Sequence, residues 1–170
     1  MADVLAAPRD EGSLRLVVRR TGRGLREILE EAELHLELGL VGDDWVNRAG
    51  LGSDRPSLYA QVTLMNARFV ELIAGSPSPE VWAQAGDQLY VDLDISMQNL
   101  PAGSQLRIGE AVIEISAQPH TGCVQFSSRF GSDALRKTNS EVGRSLRLRG
   151  ANARIVQPGL VRPGDTVRRA

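Results

Sequence analysis

Leu89-Tyr90-Val91-Asp92-Leu93-Asp94-Ile95-Ser96 decides the fold class. Aliphatic residues at 89, 91, 93 and 95 alternate with Tyr90, Asp92, Asp94 and Ser96, the period of a strand that buries one face and turns the two aspartates toward water or a ligand. The same period recurs on either side. Upstream, Leu14, Leu16 and Val18 alternate with Arg15, Val17 and Arg19. Downstream, Leu106 to Ile108 and Ala111 to Ser116 flank Gly109-Glu110, which reads as a hairpin turn. Ala153, Ile155 and Val156 begin another strand, and Pro163-Gly164-Asp165 supplies a turn before Thr166 to Arg168.

Three segments read differently. Leu25, Ile28, Leu29 and Ala32 have helical spacing but run into the alternation of Leu34, Leu36, Leu38 and Leu40, so a helical turn leading into a strand is expected there, ended by Gly42-Asp43-Asp44. Val62 to Ala74 is expected to be helical, with Val62, Met65, Phe69, Leu72 and Ile73 on one side. A short helix is expected after Pro77-Ser78-Pro79, with Val81 and Trp82 inward and Gly86-Asp87 closing it. Residues 47–56 are glycine-rich and polar and read as a long loop of the functional kind. Many short strands with a minority of helix give a mainly β (α+β) fold, a single β-barrel-like domain over residues 13–170 behind a flexible tail at 1–12.

The 170 residues suffice for one compact domain, and 42% hydrophobic with 24% charged residues is ordinary globular composition. Twenty Lys+Arg against 21 Asp+Glu leave a net charge of -1, which offers no field to gather nucleic acid or an anionic membrane. The charge is unevenly spread. Glu27, Glu30, Glu31, Glu33 and Glu37 crowd the first half, whereas Arg129 to Arg169 is arginine-rich, either as a local anion site or as exposed ion pairs on strand faces. The single cysteine excludes an intrachain disulfide and an all-cysteine metal centre within one chain, which fits a reducing, cytoplasmic compartment. No basic-then-apolar leader opens the chain, and no apolar run approaches the roughly 20 residues that span a bilayer.

Several chemistries lack their residues. There is no Gly-Lys-Ser/Thr of a phosphate loop, no third glycine after Gly22-Arg23-Gly24 or Gly50-Leu51-Gly52, and no Gly-x-Ser-x-Gly elbow. The two histidines, His35 and His120, are far apart and not clustered as zinc ligands. Asp92 and Asp94 share a strand face, where solvated carboxylates are far commoner than an acid/base pair. What remains is Gln118-Pro119-His120-Thr121-Gly122-Cys123, a Pro/Gly-bounded turn after a strand that sets a lone thiol near an imidazole. The thiolate is the reactive, metal-binding form and neighbouring cations favour it, His120 and Arg129 being the nearest. The plainer reading of a single cysteine is a small buried hydrophobe.

The order of motifs from Gly39-Leu40-Val41-Gly42-Asp43 onward resembles the MOSC domain, the C-terminal module of molybdenum cofactor sulfurases. The resemblance runs through Asp94-Ile95-Ser96, Asn99-Leu100-Pro101, Leu106-Arg107-Ile108-Gly109, His120-Thr121-Gly122-Cys123, Arg149-Gly150 and Val161-Arg162-Pro163-Gly164-Asp165-Thr166-Val167. It implies a MOSC-type β-barrel. It also implies that Cys123 either ligates molybdenum in the molybdopterin cofactor or carries sulfur as a persulfide, with His120 its catalytic neighbour. A third expectation is a binding module that keeps the barrel without the chemistry.

For the cofactor's phosphate, Arg129, Arg147, Arg149 and Arg154 are the expected binding residues, Arg147 and Arg149 alternating with Leu146 and Leu148 so as to share a face. The implied partners are a small N-hydroxylated substrate with a separate electron-donor protein, or a sulfur donor or acceptor protein. The chain departs from larger relatives in lacking a pyridoxal-phosphate domain, an N-terminal barrel domain and ferredoxin-like cysteines. It also carries Asn47-Arg48-Ala49-Gly50 where several relatives have a His-Gly-Gly type of segment.

Overall fold

The computed structural model describes residues 1–48 and 53–170. Seven strands close into a barrel: β1 (Glu11–Gly22), β6 (Leu89–Asp92), β5 (Val62–Asn66), β9 (Ala151–Gln157), β8 (Ala111–Ile115), β7 (Gln105–Ile108) and β11 (Thr166–Arg169), the last pairing back onto β1. All neighbours are antiparallel except β5 and β6, whose parallel pairing requires a crossover. α2 (Ala67–Ala74) and α3 (Pro79–Trp82) form that crossover. β2 (Leu25–Leu29) extends β1 as a hairpin outside the ring, and β10 (Gly159–Val161), β3 (Ala32–His35) and β4 (Gly39–Leu40) make a small second sheet.

Strict alternation fills the barrel. Val62 and Leu64, Leu89 and Val91, Leu106 and Ile108, Ala111, Ile113 and Ile115, and Ala151, Ala153 and Ile155 form one buried cluster, joined by Leu34, Leu40 and Val161 of the small sheet. The residues between them face a second core under the helices, built on Met65, Phe69, Trp82, Tyr90, Phe126 and Leu148. β1 serves both cores. Leu14 and Val17 face the barrel while Leu16 and Val18 face the helices, a change of parity made by a bulge between Leu14 and Leu16 against β6.

Five expectations are corrected here. Leu25 to Ala32 is hairpin, not helix: Leu25–Leu29 pairs with β1, and Leu25 and Ile28 lie exposed, so their helical spacing marks no buried face. Helix begins at Ala67 rather than Val62, because Val62–Asn66 is a strand buried on both faces, which hides its alternation, and the Asn66 side chain caps α2 by accepting from Phe69 N. The stretch after Cys123, in which no helix was read from the sequence, is α4 (Val124–Asn139), interrupted at Gly131, and α5 (Glu141–Ser145). Residues 1–12, expected to be a flexible tail, are tied down: α1 (Ala2–Leu5) buries Val4, Ala7 is buried, and Arg68 donates to the carbonyls of Asp3 and Ala6. The short helix after Pro79 is present with Trp82 buried, but Val81 is exposed. Part of the loop expected at 47–56, namely residues 49–52, lies outside the described residues. No described helix is long and apolar enough to cross a membrane.

The ring is sealed where Glu11, Gly12 and Ser13 face β11 and Ser13 also pairs with Asp92. A side chain on Gly12 would bring its Cβ to 1.9 Å from the Asp92 carbonyl oxygen, and that neighbour is backbone. Gly12→Ala is therefore expected to lower the unfolding free energy by about 2–3 kcal/mol, in the range of overpacked cores. Urea denaturation checks it, with a lower midpoint at unchanged slope.

Candidate functional site

The turn that follows β8 leads to Cys123. Asn152 on β9 donates to the carbonyls of Gln118 and Pro119, both at 3.1 Å, and Asn139 at the end of α4 brackets Gly122, accepting from its N–H at 3.0 Å and donating to its carbonyl at 3.2 Å. Gly122 fits because a Cβ there would press on Leu135 and Thr138. Cys123 is the N-cap of α4 and is exposed, not the small buried hydrophobe of the plainer reading. Its neighbour in the loop, His120, is largely buried, with 17% of its side chain exposed.

Cys123 and His120 line one cleft of about 170 Å3 with Arg20, Arg26, Arg48, Arg129 and Arg149. A second cleft of about 350 Å3 adjoins it, sharing Arg20, Arg48 and His120 and lined further by Trp45, Ser57 and Thr63. Five arginines therefore converge from the sheet, a 3-10 turn, α4 and the turn at 146–149. Three have carboxylate partners: Arg20 binds Asp43 at 2.7 Å, Arg48 binds Asp44 at 2.9 Å, and Arg149 binds Asp87 at 2.7 Å while stacking 4.9 Å over the Phe126 ring. The other two do not. Arg129 donates to the carbonyl of Gln84 at 2.6 Å, and Arg26 donates to its neighbour's carbonyl while its Nε is buried without a partner. Burial, then the nearby charges of Arg129 and Arg20, press the Arg26 guanidinium below the ordinary arginine range. The cleft thus carries an excess of positive charge that an anion would relieve.

Behind the cleft, His120 Nδ1 lies 3.5 Å from Asp87 Oδ1, and neither atom has a hydrogen-bond partner. Gly150 permits this approach: a Cβ there would sit 2.3 Å from the Leu64 carbonyl and 3.3 Å from both Asp87 Oδ1 and His120 Nδ1. Burial pushes the Asp87 carboxyl upward and Arg149 opposes it. Burial, reinforced by Arg149 and Arg20, holds His120 well below its ordinary value, so the ring is neutral at neutral pH.

Of the residues singled out in the sequence, Cys123, His120, Arg129 and Arg149 come together here. Arg147 and Arg149 do not share a strand face. Residues 146–149 form a turn, in which Arg147 turns away to the carbonyls of Ile95 and Leu100. Arg154 lies on the exposed side of β9, paired with Glu114 at 2.9 Å. Asp92 is paired with Arg68 at 2.7 Å, and Asp94 caps Ser96 N, so neither is an open acid. Arg20, Arg26, Arg48 and Asp87 were missed, and no local signal marks them; the fold of the acid-rich half brings them to the cleft.

A family model, the MOSC domain, matches residues 55–168. No curated protein sequence matches the chain. Among solved structures the chain is similar to the YuaD protein from Bacillus subtilis, with 16% identity and a TM-score of 0.64 over 92% of this chain and 94% of that one. It is also similar to YiiM from Escherichia coli, with 18% identity and a TM-score of 0.59 over 93% and 69%. YiiM from Geobacillus stearothermophilus gives 14% identity and a TM-score of 0.56 over 95% and 73%. At these identities the likeness is one of fold.

The neutral His120 has a consequence for stability. Below pH 6.5, its ordinary value, an unfolded chain protonates this histidine while the native state does not, so the unfolded state binds more protons and stability falls as pH falls. The loss approaches about 1.4 kcal/mol per pH unit for one proton. Chemical denaturation from about pH 7.5 to 5.5 should show this slope, and His120→Gln should flatten it; an unchanged slope would place the proton elsewhere.

Proposed function

This chain belongs to the MOSC domain family, and we propose that it binds molybdenum cofactor in the arginine-lined cleft, with Cys123 as the protein's ligand to the metal. We infer further that it reduces a small N-oxygenated substrate with electrons from a separate protein. The observation that carries this reading is the exposed thiol of the chain's single cysteine in the same cleft as five arginines and His120.

The residues fit the group. Among the described residues no three His, Cys, Asp or Glu side chains gather as a metal site, so a metal at Cys123 must bring most of its ligands with it. A metal held by a dithiolene does so, and a soft thiolate suits it. The pterin's phosphate needs guanidinium donors that are not already neutralised, and Arg26 and Arg129 supply them. When bound, the cofactor would supply two-electron redox chemistry at its metal. Reduction of an N–OH group takes two electrons and two protons and releases water. The chain's own part is to bind and orient: burial keeps His120 neutral beside Asp87, so its imidazole can exchange a proton with a substrate in the cleft. Phe126 stacks under Arg149 and holds that guanidinium in place.

The exposure of Cys123 also favours a second reading, in which the thiol carries a persulfide to an acceptor protein and no metal is retained. One preparation separates the two. Protein made in a host that synthesises the cofactor is expected to hold stoichiometric molybdenum by elemental analysis, to lose it in Cys123→Ala, and to hold at least about tenfold less in Arg26→Gln/Arg129→Gln. Metal retained at the wild-type level by Cys123→Ala sinks the ligand assignment. Metal absent from both, with one extra reducible sulfur in the mass of Cys123, selects sulfur transfer.

A further inference from the structure

His120 and Arg149 form a shared wall, and on its other side lies a more enclosed cavity of about 130 Å3. Its lining includes Met97, Ser116, Thr138, Arg144 and Arg147, and no aspartate or glutamate. We propose that this cavity is a binding site for a free inorganic oxyanion of the sulfate or phosphate class, held by Arg147, Arg144 and Ser116. The proposal is independent of the cofactor reading.

Arg147 is the main evidence. It is 9% exposed and has no carboxylate within ion-pair distance among the described residues, whereas the two other buried arginines, Arg20 and Arg149, each have one. Among the described residues its side chain bonds only through Nη1, to the carbonyls of Ile95 and Leu100, and Nε and Nη2 are not among the sealed-off nitrogens, which leaves them free to meet a ligand in the cavity. A buried cation in that state is costly unless an anion completes it. Burial lowers the Arg147 guanidinium from its ordinary range, in keeping with an unmet counter-charge.

The backbone agrees. With φ of 49°, Arg147 is the one non-glycine residue among those described in the left-handed region. The turn is closed by Arg147 N donating to the Arg144 carbonyl and Gly150 N to the Arg147 carbonyl. It sets the side chain in the cavity wall, and strain of this kind concentrates at ligand sites.

Ser116 gives an independent sign. It is 9% exposed and lines the same cavity, and its hydroxyl is buried with no partner. Such a group is commonly completed by a bound water or ion. Arg144 lines the cavity from α5, is exposed and has no ion pair among the described residues, so it can move onto a ligand. The volume is about four water molecules' share of liquid. That space admits a tetrahedral ion.

The test is isothermal titration of sulfate at fixed ionic strength, with chloride as the balancing ion, into wild type and into Arg26→Gln/Arg129→Gln, whose cleft has lost its open guanidinium groups. In the latter protein one sulfate per chain is expected to remain. Adding Ser116→Ala or Arg144→Gln should raise its Kd about tenfold, the effect of one hydrogen bond to a charged group. Arg147→Gln should abolish binding, and if that variant does not fold, the other two decide. A sugar phosphomonoester should compete at least about tenfold more weakly than inorganic phosphate. No sulfate taken up after the cleft arginines are changed overturns the proposal. So does a Kd indifferent to both Ser116→Ala and Arg144→Gln, and so does an ester that binds as well as the free ion.

Discussion

The fully buried carboxylate of Asp43 receives hydrogen bonds from Arg20 N, Nε and Nη2, from Trp45 N, and at 3.4 Å from Gln88 Nε2. This one anion fixes the loop after β4 against β1 and, through Gln88, reaches Thr63 on β5, whose N–H and hydroxyl both donate to Gln88 Oε1. A carboxylate so enclosed is tolerable only because every lone pair is used and a guanidinium lies against it. Removing either partner would leave a naked charge in the protein's interior. The pair therefore contributes definition of the cleft wall more than net stability, since two charges taken from water recover little beyond their desolvation.

Similar residues in this molecule have dissimilar jobs, assigned by their surroundings. Arg20 and Arg149 are neutralised locally and act as beams, each held by a carboxylate with no exposed side-chain surface. Arg26 and Arg129 end on backbone carbonyls and keep their charge open to the cleft. Arg154 and Arg136 lie on the surface in ion pairs of little energetic weight. The net charge of -1 conceals this arrangement entirely.

Strands with one wet edge or a short hairpin were legible. Gln105–Ile108 and Ala111–Ile115, joined through Gly109-Glu110, follow the pattern read from the chain. The strand read over Leu89–Ser96 ends at Asp92, although Leu93 and Ile95 beyond it stay buried, and Tyr90 is buried because the helix layer covers that side. Val62–Asn66 was misread for the same reason: both faces are buried, and its polar residues Thr63 and Asn66 are buried too, so no exposed residue marks the period. α4 was missed because only a few of its residues are buried and Gly131 breaks its run. In the site, Cys123 and His120 were visible as neighbours in one short loop. Arg26 and Asp87, some sixty positions apart in the chain, share that site only through the sheet and the loops it carries, and no local spacing records such a meeting.

The closing seam of the barrel joins Glu11 to Arg168 and Gly12 to Val167. Contacts between such distant positions make for slow folding, because the entropy of a very long loop is spent before the pairing returns anything. During synthesis β1 can form its hairpin with β2 early, but its other edge has no partner until β6 emerges, and the ring stays open until Thr166–Arg169 has left the ribosome. For that interval β7 too presents an unpaired edge, and a strand edge beside exposed apolar surface is what chaperones and neighbouring nascent chains recognise.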